Sequence, residues 1–515
     1  MSPATDPGTD QATDPTPDDR PSRLRRAPLA WTVAAALAVV LGVVLGYAVH
    51  GPHTRPGDKA TYLVYALAWA LFATAGYLVV RRVPRRAAVP LILLGAVAFQ
   101  FVALSAPPQT SDDAFRYAWD GRVQAAGISP YRYTPQDPAL EHLRDDWLFP
   151  KDACTGWFRH PLPDGSCTLM NRPSVHTIYP PVAQYWYRAL HFVTPSGARE
   201  PVQAAAALVA VAVTVALLLL LRRFGRDPRY AVVWAWCPMV ALESGNNGHV
   251  DGLGVLLMLG GLAAIATRRP VLGGVLTGAA VAVKMFPAAS LIGAARRRPL
   301  VTGGAAVLTV AVSYVPYLLM SGSSVLGFLP GYLHEEHYDD GARFGLLAAV
   351  LPDAATPYAA VAVLIAAAAV IGRRADPDRP WAPALTMTGV MLLVLAPNYP
   401  WYALLLVALA ALDGRVEWLA VGLAGYGPYF TWEMGLTEAQ IRVVHQVSYA
   451  AALAVVAGTA AVRAYRRRRK DFRASGKPQD TTGSPAARHA WNPPTTSVAR
   501  DSPRSSSDAA ARLDA

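Results

Sequence analysis

Charge is scarce in this chain of 515 residues: Asp, Glu, Lys and Arg make up 16% of it, against a hydrophobic share of 53% and a mean hydropathy of +0.25. A soluble globule carries more charge, so the composition excludes that class and describes a polytopic membrane protein. Cysteine is nearly absent, at three residues, and no Cys-x-x-Cys pair stands ready to hold a metal. A Gly-rich nucleotide loop and a nucleophile elbow in a suitable setting are also missing, which argues against a cytoplasmic nucleotide-sugar enzyme. No fixed-period repeat is evident, and the apolar core reads as one domain.

What charge there is follows a pattern. The formal net charge of +12 is carried by Arg clusters that separate apolar runs instead of forming one basic face. That is the positive-inside distribution of a membrane protein, and it leaves no surface for nucleic acid. With the clusters taken as cytoplasmic, Arg20, Arg23, Arg25 and Arg26 place the start of the chain inside, before an uncharged run at 29–49. This run is longer than a signal-peptide core and no small-x-small cleavage site follows it, so a retained anchor is expected.

Residues 61–80 return to Arg81, Arg82, Arg85 and Arg86, and 87–105 cross outward again, which puts a long aromatic, Pro-rich segment at 106–200 on the outer face. Its length marks it as a working, partly ordered element. After 202–221 and Arg222-Arg223, short apolar runs near 230–243, 250–266, 271–283 and 286–295 suggest broken or half-membrane helices. A run at 300–320 leads to a second outer loop at 321–350, and 355–371 returns to Arg373-Arg374. Runs at 381–397, 401–412, 416–432 and 441–463 then finish at the basic cluster 466–470. Roughly fourteen crossings or half-crossings result, at ~20 residues per full span. Segments 1–26 and 466–515, poor in apolar residues, are expected to be disordered cytoplasmic tails around a transmembrane domain at 27–465.

The strongest candidate for chemistry is the adjacent pair Asp112-Asp113, which opens the first outer loop just after a hydrophobic segment long enough to cross the bilayer. A carboxylate so near hydrocarbon is costly unless it faces water, a cation or a reacting group. Asp120 follows eight positions after Asp112, so on a continuous helix it falls on nearly the same face. It either supports the pair or forms an i, i+4 ion pair with Arg116. In the same loop Cys154 and Cys167 are thirteen residues apart across Pro161, Pro163, Asp164 and Gly165. In an oxidising compartment they are expected to pair, the alternative being two free thiols, while Cys237 sits in an apolar run.

Further along, Glu243, Asn246, Asn247, His249 and Asp251 interrupt the apolar sequence, and so many polar groups within nine positions point to a site more than to one satisfied histidine. Their expected task is to bind substrate. Lys284 lies away from the Arg clusters and is a phosphate ligand, or else a cation that snorkels to the interface or pairs with an internal carboxylate. Arg116, Arg122 and Arg132 are candidates to share the phosphate role. His334-Glu335-Glu336-His337, followed by Tyr338, Asp339 and Asp340, is not the His-Glu-x-x-His zinc motif. It reads as a metal site, a solvated acidic loop, or substrate contacts by His334 and His337. Tyr399, Trp401, Tyr402, Tyr429 and Trp432 are expected in an interfacial belt, though aromatic faces also stack on sugars.

These residues carry a resemblance that spans about residues 88 to 435. The acidic pair opening the first outer loop, Arg116-Tyr117-x-Trp119-Asp120-Gly121-Arg122, Gly127-Ile128-Ser129-Pro130-Tyr131 and Thr177-Ile178-Tyr179-Pro180-Pro181 come first. Gly248-His249-x-Asp251, Lys284-x-x-Pro287 and Pro400-Trp401-Tyr402 follow in order. The chain resembles GT-C integral-membrane glycosyltransferases, and among them bacterial polyprenol-phosphate-mannose-dependent mannosyltransferases of glycosyltransferase family 87. It departs from the superfamily in that two extra spans precede the acidic loop.

The resemblance implies an all-α, GT-C-like multi-helix bundle with a large first extracytoplasmic loop, multi-pass in a bacterial plasma membrane. It also implies transfer of a sugar, mannose by this likeness, from a polyprenyl-phosphate donor to a glycan, lipid or protein acceptor on the outer face. Transfer would be by inverting single displacement, with Asp112 or Asp113 as general base. No cofactor is assigned, and a divalent metal stays open without being indicated. The competing classes are a transporter or lipid-linked-sugar flippase, which would also use broken helices with midplane polar groups, and a non-catalytic scaffold for envelope assembly.

Overall fold

A computed structural model describes residues 20–52, 57–194, 198–339, 341–431 and 434–475. Asp340, Trp432 and most of the expected terminal tails, 1–19 and 476–515, lie outside the described residues. The chain divides into two compact units, Met1–Ala460 and Ala461–Ala515. The described part of the second is helical and strongly basic.

Helices dominate the first unit. The apolar runs read from sequence form α1 (Arg20–His50), α2 (Lys59–Arg81) and α3 (Arg85–Leu104), and α1 starts inside the tail expected to reach residue 26. α4 (Asp113–Ala125) and α5 (Pro181–Phe192) belong to the long loop, and α6 (Val202–Arg223) follows it. Among the described residues seven helices are long and apolar enough to cross a membrane, or eight if the bent pair Val240–Asn246 and Asp251–Ala266, meeting at 114°, is one span. The protein is therefore an all-α polytopic membrane protein.

That number is below the fourteen crossings or half-crossings expected, and the difference lies in the short runs. Pro270–Val281, Trp381–Leu395 and Pro400–Asp413 are apolar but too short for a full span of ~20 residues. The run at 230–243 is not one helix. Pro238 supplies no backbone N–H and keeps Cys237 from helical geometry, so the chain passes from a turn at Val232–Ala235 into a π-helix at Val240–Asn246. Likewise 286–295 reduces to a 3₁₀ helix, Phe286–Leu291, with Pro287 in its first turn.

Every residue of Leu404–Asp413 is buried, as expected for a helix apolar on all sides that fills a core. Elsewhere large apolar side chains point outward, among them Leu63, Phe101, Leu300, Leu319 and Tyr358. Such surface is satisfied by lipid and would be an aggregation hazard in water.

The long loop is a packed layer with its own core of Phe115, Tyr117, Trp119, Leu148, Met170 and Tyr187. Gly121 makes its central contact possible, because a Cβ there would collide with the carbonyl of Tyr187, so only glycine lets α4 approach α5 this closely. Tyr117 and Tyr187 then stack with ring centroids 4.5 Å apart. A two-stranded hairpin, β1 (His160–Pro161) antiparallel to β2 (Cys167–Thr168), pairs His160 with Thr168 and Pro161 with Cys167. A disulfide joins Cys154 to Cys167, with Cα atoms 5.4 Å apart, and Cys237 is a buried free thiol.

Candidate active site

The acidic pair is positioned by the polar interruption that follows it by about 130 residues. Asn247 Oδ1 accepts from the Thr110 backbone N–H at 3.1 Å, and Asn246 Nδ2 donates to the carbonyls of Ala103 and Pro107 at 3.0 Å each. Tyr429 adds a hydroxyl bond to the Thr110 carbonyl. These bonds fix the segment between α3 and α4, so that Asp112 stands at the N-cap position of α4, its side chain turned away from the helix end, and Asp113 is the first helical residue. The positive end of the α4 dipole favours ionised carboxylates there.

The two acids are held differently. Asp112 accepts from His160 Nε2 at 2.9 Å on one oxygen and from Asn171 Nδ2 on the other, so both its oxygens are engaged. Burial raises its pKa, the His160 hydrogen bond opposes that shift, and the Asp113 charge adds to it. Asp113 accepts through Oδ2 from the hydroxyls of Tyr179, at 2.9 Å, and Tyr117, at 3.4 Å. Its Oδ1 bonds to no described residue. Burial, and after it the Asp113 charge, pushes the Tyr179 hydroxyl well above its ordinary range, so Tyr179 stays a hydrogen-bond donor. The Asp113 side chain is 18% exposed and that of Asp112 9%.

Both acids line a cavity of about 1030 Å³, at the upper end for a ligand site and large enough for more than one substrate group. Its polar part includes Asp112, Asp113, His160, Asn171, Arg172 and Lys284, and its apolar part Met285, Phe286, Phe328, Leu329, Met391 and Leu395. Lys284 donates to Asp251 Oδ2 at 2.9 Å, with its ammonium 4.4 Å from the Tyr402 ring centre. It thus lines the cavity and is paired with an internal carboxylate at once, and two of its three donors point elsewhere. Trp401 and Tyr402, expected in a membrane belt, line the same cavity, as do Tyr399 and Tyr429.

Other expected residues stand back from this space. Arg116 lines it but is bound to Asp120 at 2.9 Å. Asp120, 1% exposed, also accepts from Thr177 Oγ1 at 2.6 Å and Gln184 Nε2 at 2.9 Å, which makes it the hub of a buried network outside the lining. Arg122 bridges Asp145 and Glu200 at 2.7 and 3.1 Å and does not line the cavity, and neither does Arg132, which lies over the Tyr133 ring. His249 sits behind the wall at 1% exposure, and Asp251 reaches the cavity only through Lys284. His334 is exposed and bonded to Asp339 at 2.7 Å, and His337 is likewise outside the lining. Among the described residues no group of three or more His, Cys, Asp or Glu is arranged to hold a metal.

His160, Asn171 and Arg172 were not singled out in the sequence. His160 reaches Asp112 across 48 positions by way of the hairpin, and Asn171 across 59. Arg172 pairs with Glu335, 3.0 Å away in the segment 321–350. The one local signal was the Cys154–Cys167 interval, which encloses His160.

Fold and cavity define the class: an all-α membrane protein with a carboxylate pair and a lysine in one amphipathic cavity. Residues 177–397 match the family model of glycosyltransferase family 87. The likeness seen in the motifs holds over that stretch, which supports a membrane glycosyltransferase. Tyr179, Glu243, His249, Asp251 and Lys284 fall inside the match, whereas Asp112, Asp113, His160 and Asn171 precede it. No curated protein and no solved structure matches the chain.

Proposed function

We propose that this protein transfers a sugar, mannose by its family likeness, from a polyprenyl-phosphate donor to a glycan, lipid or protein acceptor at the outer face of the membrane. The observation that carries the proposal is the two-natured lining of one cavity: a carboxylate pair and Lys284 at its polar part, and Met285, Phe286, Met391 and Leu395 in its apolar part. A phosphate that links a sugar to an isoprenoid chain needs both environments side by side. The Arg clusters on one side of the spans support an outward-facing loop at 106–200.

Asp113 is the general base in this mechanism. Its Oδ1 is the carboxylate oxygen left over by the Tyr179 and Tyr117 bonds, whereas both oxygens of Asp112 are occupied. Asp113 takes the proton of the acceptor hydroxyl as that oxygen bonds to the anomeric carbon. The anomeric carbon–oxygen bond to phosphate breaks on the opposite face, and configuration inverts. Lys284 faces the negative charge that grows on the departing phosphate, sharing its donors between phosphate and Asp251. General-base assistance contributes about 10²- to 10⁴-fold, and orientation in the cavity adds to it.

The test is transfer of labelled mannose from polyprenyl-phosphate mannose by purified protein in liposomes, with the product linkage read by NMR. Donor-dependent transfer with inversion is expected. Retention at the anomeric carbon, or translocation of the intact donor without transfer, would contradict the proposal.

A further inference from the structure

Behind Asp113, away from the cavity, lies a buried group that the mechanism above leaves unused. Glu243 is 0% exposed and sits on the π-helix Val240–Asn246, where its two oxygens accept from the Tyr426 hydroxyl at 2.7 Å and Asn247 Nδ2 at 2.8 Å. Two donors on two oxygens suit an ionised carboxylate. Neutral donors alone leave such a buried charge poorly compensated, and a nearby cation would offset it.

His249 lies between Glu243 and Asp113. Its Nδ1 is 2.9 Å from the backbone carbonyl of Glu243, an atom that only accepts, so Nδ1 carries the hydrogen. In the neutral ring Nε2 is then a lone pair. It accepts from Ser111 Oγ at 3.1 Å and faces Asp113 Oδ2 at 3.6 Å. A lone pair and a carboxylate turned toward each other form a place for one proton. If that proton arrives, the resulting imidazolium has the Glu243 carboxylate 3.7 Å from Nδ1 on its far side and the Trp401 ring stacked on it, centroids 3.9 Å apart. The remaining charges that act on the ring are Asp251 and Lys284, which are paired with each other.

We propose that His249 and Glu243 are a proton relay serving Asp113: the proton taken from the acceptor hydroxyl on Oδ1 comes to face His249 Nε2 as the protonated carboxyl group turns, passes to that nitrogen, and Glu243 stabilises the cation. This rests on Asp113 being the base. During transfer the acceptor O–H bond breaks, its oxygen bonds to the anomeric carbon, and the bond to phosphate breaks with its electron pair leaving on phosphate. The proton rests on His249 and returns through Asp113 to water once the products leave. His249 and Glu243 act through Asp113 and touch no substrate, so they are positioning residues for the proton, and donor binding does not depend on them.

Glu243→Gln keeps the size and hydrogen-bonding capacity of the side chain and removes its charge. Turnover should fall by about tenfold with the donor KM held within about twofold. Without that charge the Asp113–His249 pair binds a proton less tightly, so the acid limb of the turnover–pH profile should move down by about one pH unit. His249→Gln should shift the limb the same way and lower turnover further, and it carries the test if Glu243→Gln does not accumulate in membranes. A purely structural role would lower turnover at every pH and leave the limb in place. That result in either variant overturns the relay. Asp113→Asn separates the two ideas: if it is inactive while the limb stays fixed in the variants, only the relay fails, and if it is active, the base assignment fails first.

Discussion

Removing Lys284 does two separable things. Its ammonium neutralises Asp251, whose side chain is 8% exposed, and its own side chain is 14% exposed. Lys284→Ala therefore leaves a nearly buried carboxylate without its cation, a change that costs about 3 kcal/mol when one partner of a buried pair is lost. Asp251→Asn in the same background removes the orphaned charge and should return most of that stability. Activity should not follow. If Lys284 also holds donor phosphate, the single variant raises the donor KM and lowers turnover by about 10²-fold, and the double variant stays equally impaired. Thermal unfolding in detergent reads the first effect and transfer from polyprenyl-phosphate mannose the second. Recovery of transfer together with stability in the double variant would refute the phosphate role and reduce Lys284 to a partner for Asp251.

The Cys154–Cys167 bridge should appear as one linked fragment in peptide mapping without reductant. Cys154→Ser should release about 3 kcal/mol of loop restraint and lower transfer, because the hairpin carries His160 to Asp112; unchanged activity would show that His160 holds its place without the staple. Gly121→Ala should destabilise the layer formed by the long loop by about 1–3 kcal/mol, since its Cβ meets the Tyr187 carbonyl; a wild-type melting temperature would mean that α4 and α5 can separate freely. Single cysteines placed at Asp137 and Asp339 should label from outside the cell and those at Arg226 and Arg468 only from inside, and the reverse pattern would end the outer-face mechanism.

Long spans were legible because length and hydropathy alone decide whether a run can cross a bilayer; α2, α3 and α6 fall within a residue or two of their apolar runs. Short runs were not. Their fate depends on prolines such as Pro238 and on packing against a buried helix such as Leu404–Asp413, neither of which a hydropathy window weighs. The acid pair stood out because adjacent carboxylates at a membrane edge are costly. Its partners did not, since His160 and Asn171 reach it through tertiary contacts with no local signature. Arg122 illustrates the same limit: its sequence neighbours fit a phosphate ligand, but Glu200, 78 positions away, takes its charge. His249 was expected to touch substrate and lies behind Asp113 and Trp401, a distinction between contacting a substrate and backing a contacting residue that composition cannot carry.

The central claim is that Asp113, and not its neighbour, takes the acceptor proton. Asp112→Asn and Asp113→Asn, measured side by side in a donor-saturated membrane assay at equal protein level, test it most directly. Asp113→Asn should lose about 10²-fold or more of transfer with donor binding kept, and Asp112→Asn, which retains a group for His160 and Asn171 to bond, should lose less. Near-full transfer by Asp113→Asn would contradict the account.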